Sequence, residues 1–367
     1  VTATNPSLDA PSSGAPEAAP SEPRDRLGRS LRDLRISVTD RCNFRCRYCM
    51  PREEFSGKSF LPKNDLLSFE EIATLSGAFV RLGVTKLRLT GGEPLLRNEL
   101  ERLVAMLSEL DVDLALTTNG VLLPAHARAL AAAGLRRVTV SLDALDEDVF
   151  QKMSDAPRYG VRDVLAGIDA ALAAGLAPVK INCVVRRGVN ENQIEKLASH
   201  FRGSGSQVRF IEYMDVGSTN HWRPEDVVTG AEILSRIGNV SGLEPVAARD
   251  GSEVARRYRF SDGGGEVGVI TSVSQPFCGA CTRARLSADG KIYTCLFAMN
   301  GFDVRSLVRS GANEAELCEA LAGHWRARSD RYSEERGQER EASLSRRRLP
   351  TLGPSDAARV EMSYIGG

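Results

Sequence analysis

The feature that most constrains the fold is a repeated exchange, from Leu34 onward, of short β-branched runs for longer helical periods. Candidate strands occupy 34–39, 86–90, 113–118, 137–142, 179–185 and 207–213, with helical stretches near 68–82, 98–109, 124–133, 160–174 and 191–202 between them. Gly83, Gly134 and Gly175 stand where helix C-termini call for a left-handed residue. Six βα units in series require parallel strands joined by right-handed crossovers. The expected fold class is therefore α/β, an incomplete (β/α)6 TIM-like barrel over 27–214. After Met214 the pattern turns into a long polar loop, a short helix near 231–237 and hairpin-like segments, so a smaller α+β C-terminal domain is expected over 215–330. Residues 1–26, rich in Pro, Ala, Ser and Glu, read as a disordered tail, and 331–367 as a polar segment ending in two glycines.

Strands buried on both faces should be apolar throughout, yet period-2 reading puts charge on one face of several of these. Arg35, Ser37 and Thr39 share a face of the first strand, Lys86, Arg88 and Thr90 one of the second, Lys180 and Asn182 one of the fifth, and Arg209 opens one on the sixth. An unpaired buried cation costs several kcal/mol. Each residue alone could be solvated at a strand end or paired with Asp143 or Glu212; taken together they call for a polyanion in the lumen.

Directly after the first strand, Cys42, Cys46 and Cys49 form a C-x3-C-x2-C run with no fourth cysteine nearby. Three thiolates can hold three irons of a [4Fe-4S] cube and leave the last iron open. Zinc with a missing ligand and a disulfide framework are the competing readings. Cys278 and Cys281 form a second group, with Cys295 returned toward them by the Asp289-Gly290 hairpin turn. An incomplete ligand set again favours an iron-sulfur cluster over zinc, because a zinc ribbon supplies four ligands. Arg283 and Arg285 lie two apart on the strand after Cys281, so both guanidiniums face one way, suited to phosphate. Cys183 and Cys318 read as core, and His126, His200, His221 and His324 are too scattered to form a ligand pair. The run from Arg326 to Arg348 reads as a solvated segment.

Lysine plus arginine equals aspartate plus glutamate at 48 each, which gives no reason to invoke nucleic acid or a membrane. With no long apolar run and two cysteine triads, the expectation is a cytoplasmic enzyme, monomeric or homodimeric.

The first triad resembles the signature of radical S-adenosylmethionine enzymes. Both triads together with Thr90-Gly91-Gly92-Glu93-Pro94, Arg209-Phe210-Ile211-Glu212-Tyr213-Met214 and Gly366-Gly367 resemble the GTP 3′,8-cyclase family of molybdenum cofactor biosynthesis. The resemblance implies two [4Fe-4S] clusters, on Cys42, Cys46 and Cys49 and on Cys278, Cys281 and Cys295, with GTP between them. It implies S-adenosylmethionine contacts from Tyr48, Gly92, Glu93, Ser141 and Met214, and GTP contacts from Arg35, Arg88, Thr117, Lys180, Arg209, Arg283 and Arg285, with Lys86 nearby. Hydrogen would leave C3′ of the ribose and C3′ would join guanine C8, with Arg283, Arg285, Gly366 and Gly367 assisting. An electron donor and a downstream cyclic pyranopterin monophosphate synthase are the implied partners. A peptide-modifying radical enzyme and a non-catalytic iron-sulfur or zinc scaffold are the alternatives; the residues alone leave a frayed terminus open for the double glycine and an ordinary turn for Gly91-Gly92.

Overall fold

Leu34 and Ile36, Leu87 and Leu89, Leu114 and Leu116, Val138 and Val140 are all fully buried and alternate with polar residues, or at one position with Ala115, along four consecutive strands. That alternation places aliphatic side chains against an outer layer of helices and polar ones in a lumen. The computed structural model describes residues 22–248, 253–337 and 359–366. Strands β1 (Asp33–Ser37), β2 (Lys86–Thr90), β3 (Asp113–Thr118), β4 (Arg137–Ser141), β5 (Lys180–Val185) and β6 (Gln207–Glu212) pair in parallel in chain order. They lie within two residues of the expected spans.

The helix from Phe69 to Arg81 shows why the outer layer forms where it does: Ser68 and Glu71 make a reciprocal capping box, and Ile72, Leu75 and Phe79 turn one stripe inward. Gly83, Gly134 and Gly175 take positive φ at helix ends. The helix Glu147–Ser154 was not expected; it is polar along most of its length and is started by the Asp146 carboxylate, which caps Val149 N–H at 3.1 Å.

Both edges of the six-stranded array are extended by the C-terminal part of the chain. β10 (Arg283–Leu286) pairs in parallel with β1, and β9 (Glu266–Ile270) with β6. The antiparallel strands β7 (Leu243–Val246), β8 (Arg256–Phe260), β11 (Lys291–Tyr293) and β12 (Phe302–Asp303) complete, among the described residues, a twelve-stranded sheet whose ends do not meet. The barrel is open, as expected, and its C-terminal strands share its sheet.

Two expectations need correction. The described residues 22–26 do not belong to a disordered tail: the Asp25 carboxylate is buried, accepts from Leu27 and Arg29 N–H at 2.9 and 2.8 Å, and lies 2.5 and 3.8 Å from Arg29 and Arg328. The polar composition of the stretch hides this, because a single buried carboxylate finds both cations elsewhere in the chain. Arg328 is for the same reason not part of a solvated run; its side chain is 1% exposed. The calls on 1–21 and 338–358 fall outside the described residues.

Candidate active site

The cysteine loop leaves β1 and is held from the side by the turn after β2. Gly92 N–H donates to Thr39 C=O at 2.8 Å and Glu93 N–H to Arg41 C=O at 2.7 Å. A Cβ on Gly92 would collide with the Arg41 carbonyl, and Gly91, at φ +132°, would meet the Thr39 carbonyl. The double glycine is thus required by close main-chain approach. Glu93 accepts from Leu95 N–H, Thr118 Oγ1 and Asn119 N–H at 3.1, 2.7 and 2.8 Å, and burial pushes its carboxyl up to about 7. Asp143, pushed up to about 7 by burial, takes the Val184 N–H at 2.8 Å and the Tyr48 hydroxyl.

Cys42, Cys46 and Cys49 line a cavity of about 600 Å³ together with Cys278, Cys281 and Cys295. Burial pushes the Cys42 thiol up to about 12, with the Glu93 charge adding to it, and raises Cys46 and Cys49 as well. Such thiols give up their protons to a metal cation rather than to water. Among the described residues, no group of three or more His, Cys, Asp or Glu is placed to hold a single ion. Cys183 and Cys318 are buried in the core, with Cys318 Sγ on Ala78 C=O at 3.7 Å.

Between the triads the lumen is cationic. Arg285, Arg35 and Arg88 stand in register on adjacent β10, β1 and β2. Arg88 donates to Thr117 Oγ1 and Thr139 Oγ1, both at 3.1 Å; Arg209 donates to Asn182 Oδ1 at 3.0 Å and to Thr139 at 3.4 Å. The Nε of Arg35 is buried with no hydrogen-bond partner. Burial, and then the neighbouring cations, lower Lys180 to about 7, Arg209 to about 9, Arg285 to about 10, and Arg35 well below its usual value. Lys86 is spoken for, 3.5 Å from Asp33. Asp143 and Glu212, the carboxylates expected to pair with these cations, bond elsewhere, Glu212 taking Gly230, Val273 and Ser274 N–H, each at 2.7 Å; Asp33 is the carboxylate whose charge is felt by Arg35, Arg88 and Arg283.

Ser141, Met214, Thr117 and Gly92 line the same cavity. Gly366 meets two of the lining residues: its carbonyl accepts from Arg285, and a Cβ there would strike Thr90. Gly367 lies outside the described residues. At the second triad, burial raises Cys295 to about 11; at Cys281, burial is outweighed by Arg283 and Arg328, which hold the thiol down at about 6. Sequence reasoning missed Arg29 and Arg328, which donate to Cys278 C=O and Cys281 C=O at 2.9 and 2.8 Å. It also missed Thr139, which joins two lumen arginines; its place on the strand bearing Ser141 was the available signal.

A curated relative from Acidothermus cellulolyticus named GTP 3′,8-cyclase is 55% identical over 94% of this chain and 99% of its own length. The chain belongs to the GTP 3′,8-cyclase family. Cyclases so named from Xanthomonas campestris and Staphylococcus aureus are 52% and 47% identical over 96% and 94% of the chain and 99% and 98% of their own lengths. The Radical SAM superfamily model matches residues 36–201 and the Molybdenum Cofactor Synthesis C model residues 206–334, so both cysteine triads of the cyclase chain fall within matched regions. The fold is shared with Streptococcus suis SuiB, solved bound to S-adenosylmethionine, at a TM-score of 0.56 and 13% identity over 84% of this chain and 68% of that one.

Proposed function

We propose that this chain is a GTP 3′,8-cyclase that carries out the first step of molybdenum cofactor biosynthesis, converting GTP to 3′,8-cyclo-7,8-dihydroguanosine triphosphate. The observation that carries the reading is one cavity lined by both cysteine triads and by Arg35, Arg88, Lys180, Arg209, Arg283 and Arg285. Burying these cations costs free energy that an anion offsets, and the triphosphate supplies one.

The donor set fits two [4Fe-4S] clusters. Each triad offers three sulfurs to one cavity, the ligand number of a cube with one open iron. When bound, the first cluster and S-adenosylmethionine supply the radical that removes hydrogen from C3′ of the ribose. The protein's own work is positioning. Gly91 and Gly92 bring main chain close to the cysteine loop, and Glu93 ties that turn to Thr118 and Asn119. Tyr48, Ser141 and Met214 line the S-adenosylmethionine side, while the lumen cations hold the triphosphate. Arg283, 3.5 Å from Cys281 Sγ, links that side to the second triad. Gly366 and Gly367 serve the same chemistry from the C-terminus.

Among the described residues no helix is long and apolar enough to cross a membrane. A cytoplasmic setting, an electron donor and a cyclic pyranopterin monophosphate synthase downstream complete the reading. The test is anaerobic incubation of reconstituted protein with GTP, S-adenosylmethionine and dithionite. GTP-dependent 5′-deoxyadenosine and a cyclised nucleotide are expected; 5′-deoxyadenosine without any nucleotide product, under conditions where a peptide is modified instead, overturns the assignment.

A further inference from the structure

The segment 359–366 is fastened along its whole length. Arg359 donates to Asp215 C=O at 3.0 Å and to its carboxylate at 3.2 Å, and its guanidinium stacks 4.8 Å from the Tyr332 ring. Glu361 accepts from Ser218 N–H and Ser218 Oγ at 3.1 and 3.0 Å, and from Thr219 Oγ1 at 3.0 Å. Gly217 is shaped for this carboxylate, because a Cβ there would overlap Glu361 Oε2. Beyond these contacts the Ser363 backbone bonds the Cys49 thiol, Met362 lines the cavity, Tyr364 bonds Asp289, and Gly366 C=O takes a hydrogen bond from Arg285. Ile365 is fully buried beneath.

We infer that the 215–219 loop after β6 is a receptor for the C-terminal segment, and that Arg359 and Glu361 are positioning residues delivering Met362 to Gly366 between the two triads. The inference rests on the functional reading above and extends it to residues that touch neither triad. A carboxylate with three donors, facing a glycine that leaves room for it, is more than a terminus needs to avoid fraying. Seated this way, the segment engages Arg285, so that guanidinium holds the protein's own chain and is not wholly free for phosphate.

The test compares the reconstituted full chain with Glu361→Ala, Arg359→Ala and Gly217→Ala, the last disturbing the receptor without altering the segment. Hydrogen exchange over 359–366 is expected to quicken at least about tenfold in each, with the barrel strands unchanged. The kcat for cyclised nucleotide should fall about tenfold or more, while KM for GTP moves less than about threefold, as for a misplaced reacting group. Glu361→Gln, which keeps one acceptor oxygen, should recover most of the loss. Unchanged exchange in all three variants overturns the inference, and so does a released segment with undiminished kcat. If the wild-type chain forms no cyclised nucleotide, the functional reading has failed, and the exchange data alone still decide whether the receptor holds the segment.

Discussion

Arg35 and Arg88 stand directly opposite each other on neighbouring parallel strands, Arg88 buried and Arg35 half-buried with its Nε enclosed. Like charges in register oppose folding, and Arg35 Nε has no hydrogen-bond partner to offset its burial. Arg35→Met is therefore expected to raise the unfolding free energy of the metal-free protein by about 1–4 kcal/mol while weakening GTP binding at least about tenfold. Chemical denaturation and equilibrium dialysis check the two halves. A variant that is less stable and binds GTP normally would mean the lumen is not built for an anion.

Lys180 is expected to make GTP binding a proton-linked event. Burial, then Arg209 and the other cations, hold it at about 7, so it is charged below that pH and increasingly neutral above. A triphosphate beside it favours the charged form and raises its pKa, so binding takes up a proton above pH 7 and affinity falls as pH rises from there. Calorimetry in buffers of different ionisation enthalpy should detect the uptake near pH 8. Lys180→Met should abolish it.

Gly92→Ala forces a methyl group into the Arg41 carbonyl. Main chain on both sides leaves little room to yield, so a loss of about 1–3 kcal/mol is expected. Because the displaced loop carries Cys42, reconstitution of the first cluster and S-adenosylmethionine binding should suffer together. Thermal unfolding with iron analysis measures both.

Cys295→Ser removes one thiol from the second triad only. Iron after anaerobic reconstitution should drop from about eight to about four per chain. S-adenosylmethionine binding should persist. A wild-type value of one or two zincs, with little iron, would favour a scaffold.

Much of the site was legible because the lumen face repeats every second residue: Arg35, Arg88, Lys180 and Arg209 announce themselves as cations where buried strands should be apolar, and all four line the cavity. The cysteine spacings were equally plain. Sheet continuation was not, since no local pattern in Glu266–Ile270 or Arg283–Leu286 names its partner strand, which for the first holds Val208 opposite Val267 and for the second Leu34 opposite Ala284. Arg29 and Arg328 escaped for a related reason: each is an unremarkable arginine until folding sets Asp25 and the cysteine carbonyls around it. The Glu361 anchorage depends on a glycine gap that shows only in three dimensions.

The parallel pairing of β1 with β10 has a consequence for synthesis. As the chain emerges from the ribosome, one side of β1 keeps its amide and carbonyl groups unmatched until residues 283–286 appear. Such a bare margin invites adhesion to other nascent chains. Slow translation or a shortage of chaperones should thus lower soluble yield most when the message is cut shortly before Arg283.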